Sequence, residues 1–139
     1  MIELLVVIGI LAVLMAGVVA LIDPADKTKQ ANDAVMQSLV ANAATAEEAY
    51  AATHNGCYAQ TWAALNTAGE LKAAAPNVPA TYAAPTFTGA VGTCVAPEWD
   101  SVIICATLRS KRYSTTTAWK YSSSNGKTCS AAACAGACP

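Results

Sequence analysis

The chain has 139 residues, 55% of them hydrophobic, and nine acidic against eight basic side chains leave a net charge of −1. That length fits one domain with at most an appendage. The composition excludes a disordered chain, gives global charge no part in nucleic-acid binding and disfavours a cytosolic enzyme.

The first predicted element is apolar. Leu4 to Ile22 is an unbroken run of 19 residues without a polar side chain, and Glu3 is the only ionisable side chain in the first 22 residues. As a helix the run is about 28 Å long, close to the roughly 30 Å hydrocarbon core of a bilayer, so residues 1–22 read as a transmembrane helix. A cleaved signal peptide fits poorly, because that class begins with basic residues and the first lysine here is Lys27. A helix apolar on every side has to be covered by lipid or by protein. Gly9, Ala12, Ala16, Gly17 and Ala20 are small enough to let neighbouring backbones approach, although small residues are also ordinary membrane filler.

Asp23-Pro24 ends the run, with Asp placed as an N-cap and Pro at the first helical position. Gly17 and Pro24 bracket a stretch, Val18 to Asp23, able to unwind. An amphipathic helix is expected over 24–54, where Val35, Leu39, Ala43, Ala46 and Tyr50 recur at steps of three and four. Lys27, Lys29, Asp33, Gln37, Glu47 and Glu48 fall mostly off that stripe. His54-Asn55-Gly56 supplies its end. A loop over 55–80 holds a short helix near Thr61 to Ala68 and a turn-rich Pro76-Asn77-Val78-Pro79 connector. Strands are expected at 81–88, 91–96, 101–108 and 113–121, making an antiparallel sheet over 81–122. Residues 123–139 form a Cys-rich tail with little apolar bulk. The fold class is α+β: a long N-terminal helix, half apolar and half amphipathic, packed on a small antiparallel sheet with a disulfide-stapled tail. Residues 23–139 would be the head.

Cys57, Cys94, Cys105, Cys129, Cys134 and Cys138 all follow the apolar run, which reads as three disulfides in an oxidising space, at least one of them tying the tail to the sheet. A zinc site built from Cys129, Cys134 and Cys138 is the weaker alternative, and the pairing stays open. Catalysis finds little material. His54, the only histidine, suits a capping role, and the chain lacks the common nucleophile, zinc-protease and nucleotide motifs. Glu47-Glu48 and Glu98/Asp100 are expected to be solvated, and neither a cofactor nor a metal is expected. Trp62, Trp99 and Trp119 with Arg109, Lys111 and Arg112 make a weak case for DNA. The runs 114–117 and 122–124 are rich in hydroxyls that O-glycans use, and strand or turn composition explains them equally well.

The opening Met1-Ile2-Glu3-Leu4-Leu5-Val6-Val7-Ile8-Gly9-Ile10-Leu11 resembles the N-terminal helix of type IV pilins and the related pseudopilins. About 22 residues carry the likeness strongly; the proline after the run, the amphipathic half-helix, the loop and the sheet agree with it more loosely. The family's aromatic first residue and the one after it do not precede Met1, and its basic leader is absent too. The resemblance implies a structural subunit, not an enzyme. Its apolar helix would sit in the inner membrane, be handed to the pilus assembly machinery, and then pack with copies of itself inside an extracellular filament used in adhesion and motility. Glu3, Gly9, Gly17 and Pro24 are the assembly residues this implies, with Glu3 neutralising the N-terminus of a neighbouring subunit. Glu3→Ala should then insert in the membrane without assembling, whereas Glu47→Ala should assemble normally. The alternatives are the major pseudopilin of a secretion or DNA-uptake system and a membrane-tethered, disulfide-rich binding module that never polymerises. Residues 23–100 hold eight acids and three bases, and residues 101–139 hold five bases and no acid. These two charge sets would meet either between subunits or within one.

Overall fold

A computed structural model describes the backbone of residues 2–21 and 23–139, and the side chains of the same residues except 19–21. Residues 2–21, which hold no Pro, Asn, Asp or Ser, run as a helix, α1 (Ile2–Leu21). In the single chain the stretch able to unwind, 18–23, is helical as far as Leu21, and Ile22 lies outside the described residues. Steric pressure from Pro24 pushes the residue before it out of the helical region, and Asp23 sits at φ −81°, ψ 94°. Its Oδ1 accepts the N–H of Asp26 at 3.1 Å, and with Pro24 in the first turn a new helix starts, α2 (Pro24–Thr53). At the far end Asn55 (φ 56°) and Gly56 (φ 83°) turn left-handed, and Gly56 N–H returns to Ala51 O at 2.8 Å.

The buried residues of α2 are Asp26, Asp33, Met36, Val40, Ala43, Ala44, Ala46, Glu47, Tyr50 and Ala51, so Ala43, Ala46 and Tyr50 of the expected stripe are buried. The rest of the stripe is corrected. Val35 is exposed, Leu39 is half-buried, and the two acids placed outside lie inside. Spacings of three and four connect Asp33, Met36, Val40, Ala43/Ala44, Glu47 and Tyr50 just as well, but a purely apolar stripe skips the two carboxylates. Met36, Val40, Ala43 and Ala44 pack on Val102, Ile104, Ala106, Leu108 and Tyr121 of the sheet and on Tyr82. Each fully buried large aliphatic side chain contributes about 1.5–3 kcal/mol. A second cluster joins Ala46 and Tyr50 to Ala59 and to Leu65 of α3 (Trp62–Thr67). Thr61 caps α3 by accepting from Ala64 N–H at 3.2 Å.

The sheet is a four-stranded antiparallel meander of β1 (Thr86–Ala90), β2 (Ser101–Thr107), β3 (Ala118–Ser122) and β4 (Lys127–Ala131), in that order. Three strand expectations change. Residues 81–85 stay outside the sheet. The expected strand at 91–96 is a loop, because Asp100 takes the N–H groups it would need: Thr93 N–H donates to Oδ1 and Oδ2 at 3.0 and 2.9 Å, and Cys94 N–H to Oδ1 at 3.0 Å. Between β2 and β3 the chain makes a 3-10 turn (Lys111–Tyr113), so β3 begins only at Ala118. The tail supplies β4, so the sheet spans 86–131, not 81–122. An edge strand pairs on one side only, and Lys127, Thr128 and Ser130 need no apolar bulk to hold it.

Cross-strand register places Cys105, Lys120 and Cys129 in one row on the sheet face away from α2. The disulfides are Cys57–Cys94, Cys105–Cys134 and Cys129–Cys138, so the tail folds back over this face. Between the two tail bridges the buried Lys120 donates from Nζ to Ala135 O and Gly136 O, both at 2.9 Å. Peptide mapping of unreduced protein is expected to recover these three pairs and no alkylated cysteine. Two or more free thiols, or Cys57 linked to the tail, would contradict the arrangement.

Gly89 of β1 faces Trp99, whose ring carbon lies 2.3 Å from where a Cβ would stand, with Ser101 O at 2.5 Å. Trp99 is itself fixed by reciprocal backbone bonds with Tyr58, 2.8 and 2.9 Å. Gly89→Ala is expected to destabilise the head by about 1–3 kcal/mol, the usual cost of overpacking. An unchanged urea midpoint would show that the Trp99 contact yields freely.

Candidate assembly surface

α1 presents its side chains to solvent. Twelve large apolar residues, Ile2 to Val18, are exposed by 49–81%, and none joins the core of the head. Glu3 lies in the first turn. Gly9 and Gly17 have no atom within 4 Å of an added Cβ. At 100° per residue Gly9, Ala12 and Ala16 share one side of the helix. Pro24 stands at the start of α2, in a different helix from the other three residues expected to act in assembly. One chain therefore does not bring Glu3, Gly9, Gly17 and Pro24 together; Glu3 and Gly17 are about 21 Å apart along the axis. Among the described residues no helix is long and apolar enough to cross a membrane. The continuously apolar part with described side chains, residues 4–18, is about 22 Å long, and residues 19–22 of the expected run lie outside it.

Beneath α1 the start of α2 is held by an acid clasp that sequence periodicity missed. Asp33 Oδ1 accepts from Tyr82 Oη at 2.7 Å and Arg109 N–H at 2.8 Å, and its Oδ2 accepts from Ser110 N–H at 2.9 Å. Asp26 Oδ1 accepts from Lys111 N–H at 2.8 Å, and Asp23 Oδ2 takes the Lys111 ammonium at 2.5 Å. Burial would raise the Asp33 carboxyl, and the contacts from Ser110, Tyr82 and Arg109 more than reverse that, leaving it below its ordinary value. Of the basic segment after β2, one side chain, Lys111, pairs with an acid of its own chain, Asp23; its other contacts with these acids are made by backbone N–H groups. The available signal was Asp at three- and four-residue steps from Met36 and Val40.

Glu47 is the other departure. It is 0% exposed; Oε2 accepts Ala59 N–H at 2.9 Å while Oε1 has no partner. Burial pushes its carboxyl up to about 7 against the pull of the Ala59 bond, and the Glu48 charge adds to the rise. Glu48 accepts from the Tyr121 hydroxyl, and Glu98 from Tyr50 Oη at 2.9 Å. Of the carboxylates expected in solvent, Glu47 is fully buried, while Glu48, Glu98 and Asp100 serve as hydrogen-bond acceptors.

The aromatic and basic residues considered for DNA do not form one surface. Trp62 stands edge-on to Phe87 and donates Nε1–H to Pro85 O at 3.0 Å, while Trp99 and Trp119 pack against the core. His54 stacks on Tyr50 with ring centroids 3.7 Å apart at the C-cap of α2. Among the described residues no three His, Cys, Asp or Glu side chains are grouped to hold a metal. No protein-family model, curated protein or solved structure matches the chain.

Proposed function

We propose that the chain is the structural subunit of an extracellular filament of the type IV pilus kind. Residues 1–22 hold it in the inner membrane before assembly and pack against the same segment of other copies afterwards. The observation that carries this reading is the exposure of α1: twelve large apolar side chains are exposed, and none belongs to the core of the head. Each contributes about 1.5–3 kcal/mol when buried, and lipid and identical helices cover such a surface equally well. The opening residues support the same reading through their likeness to pilins, and the three disulfides suit a head that works outside the cell.

Electron microscopy of material sheared from the cell surface tests the proposal. Long filaments containing this chain are expected. Recovery of the chain only as a membrane-bound monomer would remove the filament reading and leave a tethered binding module. Short filaments dependent on a secretion system would move the chain to the pseudopilins.

A further inference from the structure

We propose that the cations around the start of α2 form a collar that binds anionic phospholipid headgroups where α1 leaves the bilayer. The inference rests on the reading that α1 occupies a membrane before assembly. Lys27 and Lys29 lie in the first two turns of α2, about 5–8 Å along its axis from Pro24. Lys111 and Arg112, far away in sequence, are brought to the start of α2 by the contacts of Lys111 with Asp23 and Asp26, and Arg109 stands farther along, beside Asp33, about 13 Å along the axis from Pro24. All five side chains are exposed.

The acids of this region offset them only in part: three carboxylates, Asp23, Asp26 and Asp33, stand among five cations. Asp33 spends its oxygens on Tyr82 and on the N–H groups of Arg109 and Ser110, and Asp26 on Lys111 N–H and Gln30 Nε2. The only side-chain ion pair among the described residues is Lys111 with Asp23. The Asp26 and Asp33 carboxylates are engaged with donors of their own chain, and Lys27, Lys29, Arg109 and Arg112 have no carboxylate partner among the described residues. The Arg109 guanidinium lies 5.4 Å over the Tyr82 ring and that of Arg112 5.8 Å over Tyr113, which braces both at the surface. Only two residues separate α1 from α2. Along the α2 axis the lysines lie within the roughly 8–10 Å screening length of physiological salt from its start. Phosphate groups of anionic lipid match guanidinium and ammonium donors in charge and geometry.

The test uses the full chain reconstituted in phosphatidylcholine vesicles containing a trace of spin-labelled phosphatidylglycerol or spin-labelled phosphatidylcholine. The readout is the fraction of each label held at the protein. Phosphatidylglycerol is expected to associate about fivefold more strongly, the factor that one lysine or arginine contributes beside an anionic surface. One molar salt and the variant Lys27→Gln/Lys29→Gln/Arg109→Gln/Arg112→Gln should each bring the ratio to about one. The variant should keep the wild-type urea midpoint, because its substitutions are all on the surface. Equal association of both lipids with the wild type would overturn the collar while leaving α1 in the membrane; its cations would then be open to the acidic part of a second copy. Selectivity unchanged in the variant would overturn it too. A chain that restrains neither lipid would remove both the collar and the membrane reading.

Discussion

Glu3→Ala is expected to leave the chain in the membrane and to lower filament yield by about tenfold or more, since an unpaired charge in an apolar core costs well over the 1.4 kcal/mol that a factor of ten represents. Residues 4–18 are apolar all round, so they adhere to a neighbouring helix at almost any axial offset. A carboxylate three residues from the start favours the one offset that neutralises it. No Lys or Arg occurs between Glu3 and Lys27, and on the proposed reading the partner would be a chain-terminal ammonium of a neighbouring copy. Insertion itself should not suffer, because removing a charge from a membrane helix lowers its cost. Lys72→Ala, an exposed change in the loop before β1, is the control. Glu47→Ala, which the sequence marked as silent, is not suitable, since Glu47 is fully buried. Abundant regular filaments from Glu3→Ala, counted by electron microscopy, would reduce Glu3 to an interfacial carboxylate.

Glu47→Gln should abolish a pH dependence of the head. The ordinary value of the carboxyl is 4.5, and in the fold it is about 7. Between these two values the folded state binds more protons than the unfolded one, so stability falls as pH rises through that window. The whole loss, about 3 kcal/mol, is present above pH 7 and absent below 4.5. Asp23, Asp33 and Asp100 act oppositely: their carboxyls are held below 3.8, and the stability they supply is lost as pH falls through their lowered values. The wild-type head should therefore be most stable between about pH 4 and 5. The glutamine variant should be level from there to pH 8. Urea unfolding at pH 4.5 and pH 8 compares the two chains, and equal slopes would show that Glu47 ionises without penalty.

How far the sequence reached follows from which forces it displays. The break at Asp23-Pro24, the cap at Thr61 and the left-handed end at Asn55-Gly56 rest on local backbone chemistry, and each stands where the residues indicate. The α+β architecture followed from periodicity in the same way. The buried face of α2 did not, because Asp33 and Glu47 occupy core positions that are tolerable only with donors arriving from 59, 82, 109 and 110. A stripe counted on hydrophobicity excludes them by construction. β4 was hidden for the converse reason: an edge strand pinned by Cys129–Cys138 and by the bonds of Lys120 carries no apolar alternation. Of the candidate surface, the helix α1 with Glu3 in its first turn was legible and the grouping of cations along α2 was not, since three of the five reach it through tertiary contacts.

The central claim is that copies of α1 cover one another. A photo-reactive residue in place of Leu11, midway along the exposed helix, tests it in filaments sheared from cells. Adducts joining two chains are expected, with the partner site inside residues 2–21. Adducts confined to lipid, or to residues of a head, would contradict it.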